Sequence, residues 1–267
     1  MATPPANFPA PAHAPDEYTQ TTAHPARRTI VLPDIDWVEI PGGEFLYQQR
    51  ERRTLGTFRI ARYPITNVQY QTFVDAGGYR AERWWQDLQR PEPEPSRWPQ
   101  GNRPRTNVDW YEAVAFTRWL SAQLRYEVRL PTEEEWERAA DGREGREYPW
   151  GAEYESGRAN IDEAARWGGE KVDEWSLGQT TAVGVYPHGA SAEGVLDLSG
   201  NVWEWCLNRY DQPERIQPDT SGQTRVLRGG SWSDRAAIAR ASRRFRSPPG
   251  DRYGYVGFRL VSSAPMV

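Results

Sequence analysis

The residues best placed to do chemistry stand in the stretch Leu196-Asp197-Leu198-Ser199-Gly200-Asn201-Val202-Trp203-Glu204-Trp205-Cys206. Asn201, Glu204 and the carbonyl of Gly200 offer oxygens on what reads as a tight turn, and oxygens on irregular backbone are what a hard cation such as calcium prefers. The same stretch also reads as buried aromatic core, because Trp203 and Trp205, two apart, share one face of a strand. Cys206 is the only cysteine of the chain. It rules out an internal disulfide and a multi-cysteine metal site, and a buried small hydrophobe is its expected role. Of three histidines, His13 and His24 fall in the first 30 residues, leaving His188. That supply is too thin for a Ser-His-Asp triad. Carboxylates are abundant, but no pair of them is singled out.

The elements that must position these groups come from a chain of 267 residues with a formal charge of −4. That length allows one large domain or two small ones. The charge argues against a nucleic-acid partner, which usually meets a basic excess. No run of about 18 apolar residues is present, so no membrane span is expected. Without a charged-then-apolar leader the expected location is cytoplasmic. Thirteen Trp and thirteen Tyr against seven Phe tilt the aromatics towards rings with a polar handle, common at binding surfaces.

Residues 1–30 are rich in Pro, Ala and Thr and read as a tail that cannot offset its own ordering entropy. The domain is expected over 31–267. Trp37 to Ile40 reads as a strand, Pro41-Gly42-Gly43 as a turn, and Glu44 to Tyr47 as the returning strand. Thr57 to Arg62 is a further strand. Thr66 caps a helix from Asn67 to about Ala76, Asp109 caps a second over Trp110 to Leu124, and Thr132 with Glu135 forms a capping box heading a short helix from Glu133 to Ala140. Between the first two, Trp84, Trp85 and Trp98 pin an irregular, proline-rich excursion. Residues 151–195 read as loops.

Seven short motifs then fall in one order: Ile40-Pro41-Gly42-Gly43-Glu44-Phe45, Tyr63-Pro64-Ile65-Thr66-Asn67, Arg129-Leu130-Pro131-Thr132-Glu133-Glu134-Glu135-Trp136-Glu137, Tyr148-Pro149-Trp150-Gly151, Gly200-Asn201-Val202-Trp203-Glu204-Trp205, Leu227-Arg228-Gly229-Gly230-Ser231-Trp232 and Gly257-Phe258-Arg259. In that order, over about residues 31 to 261, they resemble the formylglycine-generating enzyme, or sulfatase-modifying factor, family. The resemblance implies an α+β, C-type-lectin-like fold of the formylglycine-generating-enzyme type, with two main helices, little regular sheet and long loops. It also implies calcium at two loop sites, one matched by Asn160 and the Ile161 carbonyl, the other by Gly200, Asn201, Val202 through its carbonyl, and Glu204.

The family oxidase resembles a copper(I) enzyme whose metal sits on two cysteines shortly after the Gly-Gly-Ser motif, a soft-ligand choice that suits that ion. Asp234 and Ala239 stand at the positions aligned with them, and neither replaces a thiolate, so copper is not expected. A second branch makes carbon–sulfur bonds with non-haem iron held by histidines, largely from an additional helical domain. With His188 alone inside this domain, iron is not expected either. Gln217-Pro218-Asp219 resembles the sugar-selecting tripeptide of calcium-dependent lectins, which also need disulfides and a Trp-Asn-Asp set that this chain lacks.

Between Trp232 and Gly257 the chain carries six arginines, three aromatics and several small residues, types that binding loops favour. This arrangement resembles the variable proteins of diversity-generating retroelements, a subset that keeps the frame and displays a mutagenised C-terminal segment. The resemblance assigns Arg240, Arg244, Arg252 and Phe258 to the frame. It makes Ser233, Asp234, Arg235, Ala237, Ile238, Arg243, Phe245, Tyr253, Gly254 and Tyr255 the displayed, ligand-binding positions over 233–256. The expected function is non-catalytic binding of a protein or other macromolecule. The alternatives are an enzyme of the family, of oxidase or sulfur-transfer type with an unrecognised active site, and an arginine-rich segment satisfied by neighbouring carboxylates.

Overall fold

Three α-helices form where the capping signals are strongest. The computed structural model describes residues 31–166 and 169–262, so the expected tail, 1–30, lies outside the described residues. Helices α1 (Asn67–Asp75), α2 (Trp110–Leu124) and α3 (Glu133–Asp141) each begin with a reciprocal capping box, Thr66 with Gln69, Asp109 with Glu112 and Thr132 with Glu135. Each box satisfies amides that have no partner inside the helix. Helix α2 stops where Arg125 turns left-handed, at φ 62°.

The strands are short. β1 (Trp37–Ile40) pairs antiparallel with β4 (Phe58–Ala61), which also takes the chain's last described strand, β9 (Val261–Ser262). β2 (Gly43–Tyr47) and β3 (Glu51–Leu55) form a hairpin. A four-stranded sheet runs in the order β7-β6-β5-β8, with β5 Trp203–Arg209, β6 Arg225–Arg228, β7 Arg244–Ser247 and β8 Val256–Gly257.

This corrects the expectation of two main helices and little regular sheet. Among the described residues there are three α-helices, three single-turn 3-10 helices and nine strands in three sheets. The missed sheet has a physical cause. β6 reads Arg-Val-Leu-Arg and is wholly buried, while β7 reads Arg-Phe-Arg-Ser. Arginines neutralised inside the protein look like surface residues to an apolar-periodicity reading. The third helix is no minor turn either, since it buries eight of its nine residues, Glu133 and Glu137 included.

β5 divides the interior. Trp203, Trp205 and Leu207 face a core built on α2 with Trp110, Phe116, Trp119 and Phe258. Cys206, from the other face, joins Trp136, Ala139, Val226 and Val261 in a core beneath α3. The two-residue spacing of the tryptophans is therefore strand alternation, with core on both sides. Each large side chain so buried contributes about 1.5–3 kcal/mol.

Candidate ligand-binding face

The turn before β5 is locked by contacts rather than held open. Gly200 has φ +76°, and a Cβ there would lie 2.4 Å from the Asn160 carbonyl oxygen. The chains touch because the Asn201 amide donates to that carbonyl at 2.8 Å. Asn201 Oδ1 accepts from Asn160 Nδ2 (3.2 Å) and from the Thr181 amide (2.9 Å). Ile161 is buried against Ala236 and Ala239, beneath the displayed segment. The structure thus brings Asn160, Ile161, Gly200 and Asn201 together.

Glu204 goes elsewhere. Its carboxylate accepts from Arg259 Nε and Nη2, both at 2.6 Å, and from Trp136 Nε1 at 2.7 Å. The residues therefore do not fit calcium as a set. The one carboxylate among them is already neutralised by a guanidinium, and the oxygens left are neutral, whereas calcium sites draw on carboxylates. Copper(I) fares no better. Asp234 accepts from Trp203 Nε1 (2.9 Å) and from the hydroxyl (2.6 Å) and amide (3.0 Å) of Ser231, and Ala239 offers no ligand atom. Burial pushes the Asp234 carboxyl up. Asp219, of the lectin-like tripeptide, is held by Arg209 at 2.9 Å and Arg225 at 2.7 Å.

Of the ten displayed positions, Arg235, Ala237, Arg243 and Phe245 are exposed and Ser233, Asp234, Ile238, Tyr253, Gly254 and Tyr255 are half-buried. The flanking anchors Trp232, Val256, Phe258 and Arg259 are buried. Trp203 gathers three of the ten. Its indole donates to Asp234, its amide donates to the Tyr255 carbonyl at 2.8 Å, and its ring lies 5.3 Å from that of Phe245. Tyr253 and Tyr255 stack at 5.0 Å. Trp98, from the proline-rich excursion, meets Trp232 edge-on at 5.3 Å and extends this aromatic ground.

Two frame arginines, Arg252 and Arg244, are anchored on buried carboxylates, and the third, Arg240, pairs at the surface. Arg252 reaches Glu112 (2.9 Å) and Glu94 (3.0 Å), Arg240 reaches Glu147 (3.1 Å), and Arg244 reaches Glu133 and lies over Tyr210. Sequence reasoning missed the centre of this frame. Arg228, wholly buried, pairs with Glu133 at 2.6 Å and with Glu137. The signal was present in the Arg-Gly-Gly motif, but its partners lie about 90 residues away.

A lectin-like scaffold with a buried charged frame, no cysteine pair and an accessible C-terminal segment is what these features define. Residues 21–264 match the sulfatase-modifying factor enzyme 1-like domain, and the chain belongs to that family. It is 37% identical over 243 residues to hercynine oxygenase of Mycobacterium tuberculosis, covering 76% of this chain and 52% of that protein. It is 30% identical over 279 residues to inactive C-alpha-formylglycine-generating enzyme 2 of Mus musculus, covering 85% of each. The chain spans about half the length of the hercynine oxygenases it matches. Among solved structures, Treponema denticola variable protein 1 superposes with a TM-score of 0.66 at 22% identity, over 88% of this chain and 98% of its own. CarF does so with 0.63 at 25%, over 88% and 100%. These likenesses place the fold. Among the described residues no helix is long and apolar enough to cross a membrane.

Proposed function

We propose that this chain is a non-catalytic binding protein whose domain, 31–267, presents residues 233–256 to a macromolecular ligand in the cytoplasm. The observation that carries this reading is the contrast along one segment: none of the ten displayed side chains is buried, while the anchors at both its ends are. Side chains held by a rigid frame but left accessible lose little entropy on binding. The fold likeness to a protein named a variable protein supports the same reading, and diversification of the displayed codons belongs to the proposal.

The test is incubation of purified protein, loaded with copper(I), with a cysteine-bearing peptide in air. Mass spectrometry is expected to find the peptide's thiol intact apart from disulfide formation, and an aldehyde product overturns the reading. The 37% identity to hercynine oxygenase favours a second reading, an enzyme working through residues other than a cysteine pair. Oxygen uptake on adding hercynine, a thiol and ferrous iron would carry that alternative.

A further inference from the structure

The displayed segment has a charge opposite to that of the chain. Residues 233–256 hold six arginines against two aspartates, while the whole chain has a formal charge of −4. Four of those arginines gather at one end. Arg240, Arg243 and Arg244, with Gln48, Tyr210 and Ser242, line an open cavity of about 320 Å³. Arg246 lies beside it, over the same Tyr210 ring as Arg244, at 5.0 Å.

Their existing partners leave positive charge to spare. Arg244 is committed to the buried Glu133, but Arg240–Glu147 and Arg246–Asp211 are surface pairs, the latter at 3.5 Å with both side chains more than half exposed. Such pairs contribute about 0–1 kcal/mol and exchange readily for a ligand's carboxylate. Arg243 is exposed and makes no ion pair among the described residues. The backbone adds a second feature. β7 ends its sheet, so past Arg244–Ser247 its outer edge faces no strand among the described residues. A free edge recruits an extended polypeptide through main-chain hydrogen bonds, and side chains along it set specificity.

We propose that the Arg240–Arg243–Arg244 cavity, with the outer edge of β7, is a subsite for an acidic polypeptide segment, whose carboxylates take the arginines while its backbone follows the strand. This rests on the binding-face reading above and names its ligand class. Guanidinium groups grip carboxylates in two-pronged fashion, and an extended peptide, unlike a nucleic acid, can use the strand edge.

The test pans a random dodecapeptide phage library against the whole protein and assays synthetic copies of the enriched peptides. Binding is measured on the wild type, Arg243→Glu, Arg243→Gln and Tyr255→Ala, with thermal melts confirming that each variant folds. Among the described residues Arg243 has no ion pair to lose. The expected result is enrichment of Asp- and Glu-rich peptides whose affinity falls roughly tenfold or more with Arg243→Glu, less with Arg243→Gln, and weakens with salt. Enriched peptides without acidic excess, or acidic ones indifferent to Arg243→Glu, overturn the subsite. If those peptides still lose affinity with Tyr255→Ala, the face reading survives alone. Enrichment of nothing overturns both.

Discussion

Glu204 and Arg259 form a two-pronged ion pair, each prong 2.6 Å long, with neither side chain exposed. The pair joins the Trp-Glu-Trp stretch on β5 to the closing Gly-Phe-Arg, two motifs that look independent in the sequence. Arg259 also donates to the carbonyls of Ala61 (3.1 Å) and Leu196 (3.0 Å), so one guanidinium ties β4, β9's approach and the pre-β5 loop. Removing one partner strands a buried charge. Glu204→Gln is expected to cost about 3–5 kcal/mol in urea unfolding. A cost under about 1 kcal/mol would mean that water reaches the pair.

This pair marks what the sequence lets one read and what it hides. Helix starts are local chemistry: Thr66, Asp109 and Thr132 announce themselves because a capping oxygen acts within three residues. Motif order likewise identified the scaffold. Glu204, Glu133 and Arg228 could not be placed, since a charged side chain reads as exposed or as a ligand until its distant partner is known. Glu204, expected as a calcium ligand, shows this, since its carboxylate accepts from Arg259 and Trp136. The ten positions over 233–255 are exposed or half-buried between the buried Trp232 and Phe258, which bracket them in the sequence. Trp98 reaches Trp232, and Gln48 and Tyr210 reach the cavity beside Arg243, from other segments, and no spacing rule brings them there.

The division between displayed side chains and frame makes a stability prediction. Arg235→Ala and Arg243→Ala are expected to change unfolding free energy by no more than about 0.5 kcal/mol. Phe258→Ala, which empties a wholly buried site met edge-on by Tyr70 and Phe116, is expected to cost about 3–5 kcal/mol. Denaturant melts of the three variants check this. A large loss at Arg235 or Arg243 would move that residue into the frame.

Asp141 at the end of α3 gives the fold a pH dependence. Burial, then the neighbouring Glu137, pushes its carboxyl up to about 9. The folded state therefore keeps a proton that the unfolded chain releases near pH 4. Its contribution is complete below that pH and is lost as pH rises towards 9, by up to about 1.4 kcal/mol per pH unit. Burial raises Asp197, to about 6, and Asp109, to about 7, in the same sense. Asp141→Asn is expected to flatten the fall in stability between pH 5 and 9, measured by urea unfolding at several pH values. An unchanged slope would mean that Asp141 is ionised in the folded protein.

Calcium offers a sharper trial of the pre-β5 turn. With Glu204 taken by Arg259 and Trp136, and Asn201 Oδ1 already accepting from Asn160 and Thr181, a cation at this turn would meet mostly neutral oxygens. Ligand binding to the folded state stabilises it by RT ln(1 + L/Kd), where L is the free ligand concentration, and the melting temperature rises accordingly. Millimolar calcium is therefore expected to shift the melting temperature by no more than on the order of 1 °C. Isothermal titration should give no saturable heat. A saturable heat that Asn201→Ala abolishes would show that the turn rearranges to admit the ion. The same heat abolished by Glu204→Gln would mean that the ion outcompetes Arg259 for the carboxylate, and the buried pair would then be one of two states of this frame.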